Sequence, residues 1–119
     1  MMLDSAYADV TNNRDQNRFE LRLSGDLVGI LGYFDMGDSP AQGRPVISFM
    51  HTVIVEDFGH RGLAAVLVGR SLDLAREYGW GVKPVCTYVQ RFLADHREYR
   101  DVVVPLASPA RPARPAKGK

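Results

Sequence analysis

One cysteine, Cys86, stands in 119 residues, so no disulfide can form within the chain. A fold of this length must be held by its core, and a lone thiol fits a reducing, cytoplasmic setting. No apolar run is long enough to cross a membrane, and the start, Met1-Met-Leu-Asp-Ser-Ala-Tyr-Ala8, lacks the basic and apolar regions of a secretory signal. Only three histidines are present, with no Cys/His cluster, and no metal site is expected. The P-loop pattern and a Gly-x-Ser-x-Gly elbow are both missing. Acidic residues are missing after position 104, where Arg111, Arg114, Lys117 and Lys119 give +4. Residues 1–104 hold 11 basic and 14 acidic side chains, net −3, which argues against a broad nucleic-acid surface and suits a cationic acceptor.

What is present is ordinary for one globular domain: 45% apolar and 24% charged residues. The organisation expected is an N-terminal segment over 1–7, a domain over 8–104 and a Pro/Ala/Arg tail over 105–119. The tail's proline density and lack of apolar bulk predict disorder, with only a weak electrostatic affinity for nucleic acid.

Residues Tyr7–Val10 suggest a short edge strand, and Asn12–Asn17 a turn. Phe19-Glu-Leu-Arg-Leu23 alternates apolar and polar, as in a half-buried strand. A tight turn at Ser24-Gly25-Asp26 leads to a second strand over 27–34, and a loop over 37–43 to a long third strand over 45–55. Apolar residues then recur at helical spacing from Leu63 to Ala75, and Tyr78-Gly79 is a stop signal. A short strand over 82–86, a helix over 88–95 and a last strand over 101–104 complete the order. A hairpin followed by a strand–helix–strand crossover predicts an α+β domain with a mixed, mostly antiparallel sheet and helices packed on it.

The most informative stretch is Gly59-His60-Arg61-Gly62-Leu63-Ala64, between the long strand and the first helix. A glycine turn before a helix builds an anion site from unpaired N–H groups and the positive end of the helix dipole. The plainer reading is a simple helix start.

His51-Thr52, Arg61-Gly62-Leu63-Ala64, Pro84-Val85-Cys86 and His96-Arg97-Glu98-Tyr99-Arg100-Asp101 occur in this order, with Asn12-Asn13 and Arg18-Phe19-Glu20 before them. In order and spacing the chain resembles the GCN5-related N-acetyltransferases, and more closely a minimal single-domain subgroup of them. The resemblance covers residues 8–104. It implies acetyl-coenzyme A as co-substrate and an amine acceptor, small molecule or protein lysine. It implies a diphosphate on Gly59–Ala64 and pantetheine along the long strand at Val53 and Val55, and Tyr88 is a further candidate for cofactor binding. Main-chain N–H groups of 53–55 are then the expected oxyanion donors. Three positions depart from the pattern: Gly59 stands where Gln or Arg is common, Val53 where the subgroup carries an acid, and Arg97 where it carries proline.

Three side chains are candidates for the chemistry. Cys86 is a nucleophile or a lining residue of the thioester site, and needs a base such as His51 or His96 for the former. His51 shares a strand face with Val53 and Val55, which favours a core histidine over a proton acceptor. Tyr99, like Tyr88, is a proton donor to the leaving thiolate or a packed aromatic. Direct transfer is expected ahead of a Cys86 thioester. A module that binds coenzyme A or an acyl form without turnover, and an interaction domain using the basic tail, are the alternatives.

Overall fold

The structure, a computed structural model, describes residues 8–55 and 62–105. The segments 1–7, 56–61 and 106–119 lie outside it, so the expectations for both termini and for Gly59, His60 and Arg61 fall on residues that are not described.

Five strands form one sheet in sequence order: β1 (Ala8–Asn13), β2 (Arg18–Leu23), β3 (Asp26–Ser39), β4 (Arg44–Ile54) and β5 (Gly81–Pro84). The first four are antiparallel, and β5 joins β4 in parallel. Helix α1 (Leu63–Tyr78) carries the chain between β4 and β5, and α2 (Thr87–Asp95) follows β5. The α+β class and the crossover are as the hydrophobic pattern predicts.

Local chemistry explains the boundaries. Ser24 (φ 49°) and Gly25 (φ 90°) form the two-residue turn joining β2 to β3, with the left-handed backbone that suits sheet twist. Gly79 (φ 77°) ends α1; its N–H bonds the Arg76 carbonyl, and Trp80 N–H bonds that of Ala75. β3 runs five residues beyond the apolar stretch, because it stays paired with β4 across a register shift between Asp35 and Asp38. The last expected strand is reduced to one parallel bridge, Val82 to Val103.

One sheet face is covered by both helices. Phe19, Leu21, Leu31, Tyr33, Ile47 and Phe49 of the sheet pack there with Leu67, Val68 and Leu72 of α1 and Val89 and Phe92 of α2. Phe19 sits at the centre, 5.3 Å from Tyr33, 5.7 Å from Phe49 and 6.1 Å from Trp80, ring centre to ring centre. The opposite face carries Arg18, Glu20, Ile30, Gly32, His51 and Val53 in register across β2, β3 and β4.

Tyr99 closes the C-terminal segment onto α1. Its hydroxyl donates to Asp73 Oδ1 at 2.8 Å, and the Arg76 guanidinium lies over its ring at 5.2 Å while pairing with Asp101. Tyr99→Phe is expected to lower unfolding stability by about 1 kcal/mol in chemical denaturation, since it deletes one partly buried hydrogen bond and leaves the packing intact.

Candidate active site

β4 and β5 stay paired from Val46–Gly81 to Phe49–Pro84 and then part. Val85 and Cys86 both donate their N–H to the Phe49 carbonyl, at 3.1 and 2.8 Å, and the chain turns into α2 while β4 continues to Ile54. The result is a gap beside the last five residues of β4. Met50 is an extra residue in β4, since Gly32 faces His51 and Tyr33 faces Phe49. Such a bulge changes which main-chain groups face each neighbour.

Val55 N–H donates to the Val28 carbonyl at 2.8 Å. Antiparallel alternation then turns Val53 and His51 toward β3 as well, and turns the N–H and C=O groups of Thr52 and Ile54 into the gap. This corrects the expectation for Val53 and Val55: their main-chain groups are on the β3 side, and the donors facing the gap are those of Thr52 and Ile54. The side chains of Val53 and Val55 are 52% and 46% exposed on the uncovered face. The bulge that reverses the pattern has no signature in the sequence.

Two helix starts flank this end of the parallel pair. α1 begins after Gly62, which is left-handed at φ 74°, and α2 begins after Cys86. Neither has a side-chain cap, and neither carries an acid in its first turn. Among the described residues no side chain takes their first N–H groups, and both positive ends stand at the carboxyl edge of β4 and β5. Of the turn singled out in the sequence, Gly62, Leu63 and Ala64 are described. Leu63 is buried in the core, so only its backbone is available, and Ala64 is half-buried.

Cys86 is buried as the N-cap residue of α2, with its Sγ 3.5 Å from Thr52 Oγ1. Neither histidine serves it as a base. His51 is exposed on the other sheet face, level with Gly32 of β3. His96 stacks on Phe92 at 3.8 Å and its Nδ1 meets the Phe92 carbonyl at 2.7 Å. The reading of His51 as a core histidine is also corrected, because its face of the sheet is uncovered. Tyr88 lies in the first turn of α2, half-buried against the core. Tyr99 is spent on α1, and burial followed by the Asp73 hydrogen bond pushes its phenol up to about 12. A phenol that weakly acidic is a poor proton donor to a thiolate, whose conjugate acid titrates near ~8.5.

Arg18, Glu20, Gly32 and Thr52 were not among the expected site residues, although Arg18-Phe19-Glu20 helped to carry the resemblance. Glu20 is 4% exposed and accepts from Asn13, Arg18 and Arg22 at 2.8–2.9 Å. These three donors hold its carboxyl down at about 2, against an ordinary 4.5. Gly32 leaves room for the His51 ring: a Cβ there would lie 2.6 Å from Cε1 and 2.7 Å from Nε2.

The fold has known counterparts. A ribosomal-protein-alanine N-acetyltransferase from Brucella melitensis biovar Abortus 2308 superposes with a TM-score of 0.54 at 20% identity, over 82% of this chain and 67% of that one. An aminoglycoside acetyltransferase from an uncultured soil metagenomic sample, in complex with sisomicin, superposes with a TM-score of 0.51 at 14% identity, over 86% of this chain and 65% of that one. At such identities the likeness concerns the fold, and this chain spans about two thirds of the length of those structures. No curated protein matches the sequence significantly. The family model described as GCN5-related N-acetyl-transferase matches residues 18–102, well over half of the chain. From β2 to the turn after α2, the chain is a member of the GCN5-related N-acetyltransferase family.

Proposed function

We propose that this protein transfers the acetyl group of acetyl-coenzyme A to an amine. The observation that carries the reading is the parting of β4 and β5 at Phe49, with the uncapped starts of α1 and α2 at the same edge. The residues present fit the co-substrate. The N–H groups at Gly62–Ala64 suit a diphosphate, because the first turn of α1 contains no competing acid. The gap-facing amides of Thr52 and Ile54 suit a pantetheine chain, and one of these N–H groups can polarise a carbonyl oxygen. Acetyl-coenzyme A supplies an activated acyl thioester.

The other steps belong to the chain. The covered side of the gap is filled by Thr52 and Cys86, so the amine enters from the uncovered side, where His51 stands two residues past Phe49. His51 takes the ammonium proton, which general-base catalysis requires before attack on a thioester. Cys86 lines the site, with neither His51 nor His96 beside it among the described residues. Cys86→Ala is expected to change turnover by less than ~3-fold, against the ~100-fold or greater loss that removal of a covalent nucleophile brings.

Calorimetry with acetyl-coenzyme A, together with acetyl transfer to a panel of amines, tests the proposal. Micromolar binding with turnover above background supports it; absence of binding removes it. Binding without turnover favours the second reading, a module that holds coenzyme A, for which Val53 in place of the subgroup's acid is the motive.

A further inference from the structure

The uncovered sheet face holds a groove of about 250 Å³, lined among others by Gln16, Asn17, Arg18, Gly32, Met50 and His51. It lies level with the point where β4 and β5 part, because Arg18, Gly32 and His51 stand opposite one another in adjacent strands. Gly32 forms its floor, and the imidazole of His51 leans across it.

Arg18 is held in an unusual way for a surface arginine. Its Nε donates to Glu20 Oε2 at 2.8 Å, and Glu20 is itself buried and fixed by Asn13 and Arg22. The guanidinium is therefore anchored at one nitrogen, and its two terminal nitrogens have no acceptor among the described residues. The side chain is 29% exposed. A planar fork fixed at its base has little rotamer freedom left to lose on binding, and it matches a carboxylate in two-point geometry. Among the described residues, no carboxylate lines the groove.

We propose that this groove is the acceptor site and that Arg18 binds an anionic group of the acceptor, so that the preferred substrate is a small amine bearing a carboxylate. The inference rests on the acetyl-transfer reading above. It runs against the net −3 of residues 1–104, which by itself suits a cationic amine. A local guanidinium outweighs a diffuse charge because charges beyond a Debye length of ~8 Å are screened at physiological salt.

The test compares an amino acid, γ-aminobutyrate, with its carboxamide as acceptors. The amines differ in intrinsic reactivity, so the readout is the change on substitution in the ratio of their kcat/KM values. Arg18→Gln is expected to lower the carboxylate-to-amide ratio ~10-fold, mainly through KM. Arg22→Gln also removes a Glu20 partner but does not line the groove, and its ratio should stay as in the parent. An unchanged ratio in Arg18→Gln, or an equal fall in both variants, overturns the proposal.

A second readout needs no turnover. The imidazole NMR signals of His51, in protein saturated with coenzyme A, are expected to shift with N-acetyl-γ-aminobutyrate and not with its amide. Equal response to both, or to neither, overturns the anion site. Transfer without discrimination keeps the proposed function and removes this inference. A selective shift with no transfer to any amine removes the proposed function and leaves the groove as an anion site.

Discussion

Ala64→Glu is expected to weaken coenzyme A binding ~100-fold while leaving the melting temperature unchanged or slightly raised. Ala64 lies in the first turn of α1, which has no acid and no side-chain cap. A carboxylate there competes with the diphosphate for the same N–H groups. At ~5 Å and an effective dielectric of ~20 it also repels each unit of negative charge by roughly 3 kcal/mol. The same carboxylate suits the helix itself, because it opposes the positive end of the dipole, by ~0.3–1 kcal/mol. The two effects have opposite signs, so lost binding cannot be blamed on unfolding. Gly62→Glu lacks this clarity, since it adds strain at φ 74° to the repulsion. Calorimetry and a thermal melt on one sample decide the matter. Binding within threefold of the parent would place the diphosphate elsewhere.

Glu20→Ala is expected to cost about 3 kcal/mol of unfolding free energy at pH 7, the low end for breaking a buried ion pair. Loss of the carboxylate leaves two guanidinium groups, of Arg18 and Arg22, on β2 without the acid they share. Their side chains are 29% and 38% exposed, so partial rehydration limits the damage. The parent should also show a matching acid dependence. Its Glu20 titrates at about 2 when folded and near 4.5 when unfolded. A group with a depressed folded value stabilises above its unfolded value, and the contribution fades as pH falls from 4.5 toward 2. The span corresponds to at most about 3 kcal/mol, less in salt. Urea unfolding at pH 7 and pH 3 measures the part lost by pH 3, about 2 kcal/mol of that span. The variant should lose less stability than the parent over that interval; equal losses would show that the acid dependence arises elsewhere.

Much of the fold was legible because its signals are local. Period-2 alternation marked Phe19–Leu23, helical spacing marked Leu63–Ala75, and glycines at 25, 62 and 79 marked the turns. Where the reading fell short, the deciding contact was distant in sequence. β3 outran its apolar stretch because β4 continues to pair with it. The strand expected at 101–104 shrank to a bridge at Val103, since α1 holds Tyr99 and Asp101 through Asp73 and Arg76.

The candidate site divides the same way. The sequence by itself pointed to the family through the resemblance of its motifs, and it offered the glycine turn before α1, His51-Thr52 and Cys86 as candidates, because those signals are local. Only the tertiary structure decided how those residues are used. The bulge at Met50 reversed the β4 backbone, turned Thr52 and Ile54 into the gap, and left His51 on the uncovered side of β4 while Thr52 meets Cys86. The helices covered one side of the sheet and left Arg18 and His51 bare on the other. Alternation shows which residues share a face; which face is buried depends on packing between segments far apart in the chain.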